Sequence, residues 1–133
     1  MTIPLTCILV AYALVFLPRV FVVVAQSRDE KGYDNRDPRE QQARLTAPWA
    51  KRASAAHANA FEAFAPFAAA VLVAHVAGAD PTWATILALV HVGARTIYPF
   101  LYVAGIGTAR SLVWMVGTTA TAALMALPWI APA

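Results

Sequence analysis

Three groups of polar residues stand inside otherwise apolar sequence, and their types and spacing suit the binding of an anion. The first is Arg52, His57, Asn59 and Glu62. A helix advances about 100° per residue, so Arg52, Asn59 and Glu62 share one face, with Ala55 between them, while His57 points elsewhere. Glu62 falls about ten residues into its helix, roughly 15 Å along the axis. A carboxylate at that depth requires a basic partner. The second group supplies one. Arg95, Tyr98 and Tyr102 recur at helical spacing along a single stripe, and Arg95 is the natural counter-ion for Glu62. The third group is Arg110-Ser111, in the first turn of a further helix. There backbone N–H groups, a guanidinium and a hydroxyl converge, which suits a thiolate or a carboxylate. Each group also has a plainer reading: Asn59 and Glu62 as interhelical glue, Tyr102 as an aromatic-belt residue, Arg110-Ser111 as a positive anchor with a capping serine. His75 and His91 read as structural.

The elements that carry these groups are membrane helices. The 133-residue chain is 60% hydrophobic and 13% charged, with a mean hydropathy of +0.60. A soluble domain is nearer half apolar and about a quarter charged. Disorder, collagen and coiled coil are excluded by the same composition. Four long apolar stretches are visible, at about 3–25, 48–77, 81–104 and 109–130, with a polar loop at 26–47. Each is long enough to span a bilayer, and without water each must be helical. The fold class expected is an all-α integral membrane protein, a four-helix antiparallel bundle in a single domain. Pro18-Arg19 interrupts the first stretch, which reads as a retained helix and not a cleaved signal peptide. Gly78, Asp80 and Pro81 mark a stop, a cap and a restart, and Thr46 and Thr108 are the candidate caps of the second and fourth helices.

Of the ten Lys/Arg residues, seven lie between Arg28 and Arg52, with Asp29, Glu30, Asp34, Asp37 and Glu40 among them. This mixture reads as a solvated loop and not a nucleic-acid footprint, despite the net charge of +3. Positive charge places the first and third loops in the cytoplasm and both termini on the other side. Cys7 is the only cysteine, so neither an intrachain disulfide nor a cysteine-cluster metal site is available. Four helices enclose little core, which points to an oligomer.

The run from Arg52 through His57, Asn59 and Glu62 to Pro66-Phe67 resembles the signature of the MAPEG family, the membrane-associated proteins in eicosanoid and glutathione metabolism. The run Gly93-Ala-Arg95-Thr-Ile-Tyr98-Pro-Phe-Leu-Tyr102 and the pair Arg110-Ser111 resemble its third and fourth helices, and the charged loop around Tyr33-Asp34-Asn35-Arg36 looks like that of bacterial members. The resemblance implies a homotrimer in the bacterial inner membrane. It also implies glutathione as co-substrate, bound between subunits near the cytoplasmic face. Asn59 and Glu62 would hold the peptide's polar groups, Tyr102 and Arg110 would complete the pocket, and Arg52, Arg95 and Tyr98 join the binding set by position. Arg110 would stabilise the thiolate and Ser111 would donate a hydrogen bond to it, for attack on a lipophilic electrophile arriving from the membrane lipid. The chain departs from glutathione-using members at Ala55 and Ala58, where basic residues are common. Tyr98 stands where eicosanoid enzymes carry histidine, and Trp114 where tyrosine is frequent.

Two other functions remain open at this stage. One is a non-catalytic relative that binds lipid or scaffolds a partner, which Ala55 and Ala58 favour. The other is a small proton-coupled exporter that uses Glu62. A carboxylate locked to Arg95 would be a poor proton carrier, so the Glu62–Arg95 contact discriminates.

Overall fold

The computed structural model describes residues 2–132. Helices account for nearly all of it: α1 (Ile3–Val15), α2 (Leu17–Ser27), α3 (Pro38–Arg44), α4 (Pro48–Val76), α5 (Pro81–Ala104) and α6 (Gly107–Ile130). Taking α1 and α2 as one interrupted span, four helical segments are long and apolar enough to cross a membrane. Successive spans are joined by tight turns or by the polar loop, which makes an antiparallel bundle.

The interruption of the first span lies at Phe16, two residues before Pro18. Proline has no N–H to give the Leu14 carbonyl, and its ring crowds the preceding turn, so the distortion falls upstream of the ring. The Phe16 amide tightens onto the Ala13 carbonyl at 3.1 Å. His57 of α4 then donates from Nδ1 to the Val15 carbonyl at 2.9 Å, so the break is tied directly to the second span.

The turns follow local chemistry. Gly78 takes φ +68°, and Asp80 caps α5 by accepting the amides of Thr82 and Trp83, both at 2.9 Å. The other two expected caps are corrected. Pro48 holds Ala47 in an extended conformation, so Ala47 is the N-cap of α4 and Thr46 lies one residue outside. The fourth span starts at Gly107 with Ile106 as its N-cap, which places Thr108 inside the first turn. The reason is Gly105. Its left-handed backbone (φ +80°) reverses the chain in two residues, and the Ile106 amide closes onto the Leu101 carbonyl at 3.0 Å.

A Cβ at Gly105 would also lie 3.2 Å from Cζ of Arg52. Gly105→Ala is therefore expected to lower stability by about 1–2 kcal/mol, the cost of a left-handed non-glycine residue, measurable as a shift in the unfolding midpoint in detergent.

Small residues let the spans approach closely. One buried cluster gathers Phe67, Val71, Ala74, Ala88, Leu124 and Leu127, and a second gathers Val22, Ala25, Leu45, Ala50 and Ala53 where α2 meets α4. His91 is buried against the first cluster. Its ring stacks on Phe67 with centroids 3.9 Å apart, and its Nδ1 donates to the Gly117 carbonyl at 3.1 Å with the Thr121 hydroxyl 2.8 Å away. At Gly117, α6 lies against α5 closely enough that a Cβ there would sit 3.4 Å from the Ala94 Cβ, an ordinary contact.

The 26–47 segment is more ordered than a solvated linker. Gln26 is fully buried and donates to the Pro38 carbonyl at 2.7 Å. Gln41 donates to the Gly32 carbonyl at 2.6 Å and accepts the Asp34 amide at 3.0 Å. Arg19 donates to Gln42 at 2.6 Å. These amides hold α3 against α2. No apolar periodicity announces α3. Its local support is Pro38 in the first turn and the Glu40–Arg44 pair one turn apart.

Candidate functional site

Six of the candidate residues form one unbroken chain of contacts. It begins on the surface at Glu62 of α4, whose Oε2 accepts from Nδ2 of Asn59 at 3.2 Å. The Asn59 side-chain oxygen accepts from Arg95 of α5 at 3.0 Å, and the Asn59 carbonyl accepts from the same nitrogen at 3.3 Å. The Arg95 guanidinium lies 4.4 Å from the centroid of the Tyr98 ring. Tyr98 meets Tyr102 edge to face at 5.5 Å, and Arg110 of α6 lies 4.5 Å above the Tyr102 ring. Helical spacing produces the α5 part of this ladder, because three, four and seven residues return to one stripe. The Gly105 turn brings the first residues of α6 back over it.

Burial grades along the chain. Arg95 is 8% exposed and Tyr98 5% exposed, Tyr102 and Arg110 are half-buried, and Glu62 is exposed. The buried middle of the chain is an anchored cation, Arg95. Its charge is met by an amide, a carbonyl and an aromatic face, which together replace the water it has lost. The two outer ends offer groups with unused capacity. Arg110 has no carboxylate within ion-pair distance among the described residues. The Ser111 hydroxyl is exposed beside it and makes no hydrogen bond there. Glu62 keeps most of its acceptor capacity, since only Asn59 occupies it.

Two expectations about individual contacts are corrected. Arg95 and Glu62 form no direct ion pair, because the Asn59 amide sits between them, accepting from one and donating to the other. An amide can do both at once, and the interposition leaves Glu62 at the surface while Arg95 stays inside. The locked contact that would argue against a proton-carrying Glu62 is therefore absent. Arg52 shares a helix face with Asn59, yet its Nε donates to the Val103 carbonyl at 3.0 Å. The last carbonyls of α5 have no intrahelical partner and carry the negative end of the helix dipole, so the long cationic side chain is drawn there. Arg52 thus holds the end of α5 and the Gly105 turn in place, next to the residues that lead into Arg110.

Ala55 and Ala58 lie exposed on the surface of α4 with no charge to contribute. His57 and His91, with no binding role in the sequence reading beyond the observation that His57 points off the polar face, are the polar ties of α4 to α1 and of α5 to α6. The signal for His57 was present in Pro18, since a proline in a membrane helix frees a carbonyl that some neighbour must satisfy.

The MAPEG family model matches residues 5–130, almost the whole chain. No curated protein and no solved structure matches it.

Proposed function

Because the chain belongs to the MAPEG family, whose members include glutathione transferases and peroxidases, we propose that this integral membrane protein is a glutathione-dependent transferase or peroxidase acting on lipophilic electrophiles. The observation that carries the reading is the position of Arg110: a half-buried guanidinium over Tyr102, unpaired by any carboxylate among the described residues, at the start of a membrane helix and next to a free hydroxyl.

The residues suit a thiol tripeptide in charge, with a carboxylate at Glu62 and a guanidinium at Arg110. Glutathione supplies the nucleophilic sulfur. Arg110 favours the thiolate over the thiol by placing a cation beside it, and Ser111 donates a hydrogen bond to the same sulfur. Tyr102 holds the Arg110 guanidinium from below and limits its rotation. Glu62 accepts from an ammonium group, with Asn59 fixing the orientation of its carboxylate. Arg95 and Tyr98 act through these two, as the buried support that keeps the ladder in register. The electrophile arrives through the bilayer. The sulfur–carbon bond forms as the leaving group departs with its electron pair, and the thiol proton passes to water at the membrane surface. The arrangement we propose in the bacterial inner membrane is a homotrimer, with the α5–α6 turn and the 26–47 segment on the cytoplasmic side and both termini opposite.

Thermal unfolding of the purified protein with millimolar glutathione tests the reading. A ligand that binds only the folded state at 100 times its dissociation constant stabilises by about 2.7 kcal/mol, so a clear rise in midpoint is expected. A second reading, a lipid-binding or scaffold protein of the same family, is favoured by the uncharged Ala55 and Ala58. An unchanged midpoint at saturating glutathione would decide for it.

A further inference from the structure

Where α2 ends at Ser27 and α4 begins at Pro48, a cavity of ≈ 390 Å³ opens at one end of the bundle, lined by Ala25, Arg28, Asp29, Arg44 to Ala47 and Trp49. Its depth follows from the chain. Two membrane-spanning helices finish and start there, directly above the buried Val22–Ala25–Leu45–Ala50–Ala53 cluster on which Trp49 packs. The cavity therefore lies at the boundary between hydrocarbon and headgroup, the level at which tryptophan and arginine side chains anchor membrane proteins.

Its donors are unspent. Among the described residues, the Arg28 guanidinium, the Thr46 hydroxyl and the Trp49 indole N–H make no hydrogen bond to the protein, and Arg28 has no carboxylate within ion-pair distance. Arg44 pairs with Glu40 through one nitrogen and retains its other donors. Two acids stand close by: Asp29, on the cavity wall, accepts the Lys31 amide at 3.2 Å through one oxygen, and Glu40 pairs with Arg44, so Arg28 is the guanidinium of the wall without an ion-pair partner among the described residues. A ligand that answers two guanidinium groups, a hydroxyl and an indole N–H while resting on an alanine–leucine–tryptophan floor is an anion with an apolar body.

We propose that this cavity is a headgroup site for an anionic phospholipid, with the phosphodiester held by Arg28 and Arg44 and the glycerol region against Thr46 and Trp49. The lipid ties the end of the first span to the start of the second. It thereby steadies the glutamine-bonded 26–47 segment, which has few apolar contacts of its own. The site uses none of the residues assigned to thiol chemistry, so it stands or falls independently of that assignment.

The test is thermal unfolding of the full chain in non-ionic detergent, with mixed micelles of phosphatidylglycerol or of phosphatidylcholine bearing the same acyl chains. Phosphatidylglycerol is expected to raise the midpoint well above the phosphatidylcholine value. In the Arg28→Gln/Arg44→Gln variant, the lipid concentration for half-maximal shift should rise about tenfold or more, the loss expected for charge-assisted contacts. The Lys31→Gln/Arg36→Gln variant removes the same charge outside the cavity and should keep the shift. Trp49→Phe removes the indole N–H and part of the ring packed on the buried cluster, so its weakened lipid response is read against the same variant's own unfolding midpoint without lipid. Equal shifts from the two lipids would overturn the proposal. So would equal losses in the two double variants, which would mean diffuse surface attraction, or an equal shift from inorganic phosphate, which would mean an anion site that does not require lipid.

Discussion

Arg110→Ala is expected to slow thiol conjugation by about a hundred- to a thousandfold in kcat/KM, the range seen when one preorganised donor to a developing anion is removed. The reason is what else stands near the sulfur. Arg110 is the ladder's cation at this end, Tyr102 beneath it contributes a ring face but no charge, and the nearby Arg52 is engaged by the Val103 carbonyl. Removing the guanidinium raises the proportion of unreactive thiol and leaves the remaining thiolate without its counter-charge. Stability should change little, by about 0.5–1 kcal/mol, since the substitution removes a partly exposed cation–π pair. Arg110→Lys keeps the charge but not the planar fork, and should fall between the two. Steady-state kinetics against an apolar electrophile, with unfolding curves on the same samples, separate a catalytic loss from a folding defect. An unchanged rate in Arg110→Ala would remove the residue from the chemistry.

Asn59→Leu is expected to destabilise the protein by about 2–3 kcal/mol, because a hydrogen bond to a charged group is removed and the buried Arg95 keeps its charge. The partner remaining on α4 is a backbone carbonyl at 3.3 Å from the same nitrogen. Glu62→Gln should cost less than about 1 kcal/mol, since Glu62 is exposed and the glutamine oxygen can still accept from Asn59. The contrast is the informative part. If Arg95 were balanced chiefly by Glu62, the order would reverse. Chemical unfolding of both variants in detergent reads the difference, and a larger loss in Glu62→Gln would return the ion pair to the centre of the bundle.

The interposed amide marks the limit of reading by helical faces. Periodicity places Arg52, Asn59 and Glu62 on one side of α4 and Arg95 on the facing side of α5, and the structure agrees to that extent. Which cation meets which acceptor is another matter. An arginine side chain reaches several ångströms along or across a helix, so the choice depends on which acceptors lie unsatisfied nearby. Arg52 found the open carbonyl end of α5, and Arg95 found Asn59. The missed α3 has a similar cause. A seven-residue polar helix has no apolar stripe to reveal it, and three glutamines in tertiary contact hold its segment in place.

What the sequence determined by itself was the membrane class, the presence of four spans, and the helix stripes that carry the polar residues. Those features are local: about twenty apolar residues force a helix in hydrocarbon, and glycine, aspartate and proline punctuate the chain through their own backbone chemistry. What only the tertiary structure decided was the wiring. His57 closes the gap left by Pro18, His91 ties α5 to α6 at the Gly117 carbonyl, and the Gly105 turn sets Arg110 over Tyr102. A buried polar group takes the partner that packing leaves within hydrogen-bond reach, and that reach is set by how closely two helices approach, a quantity that no single stretch of sequence contains.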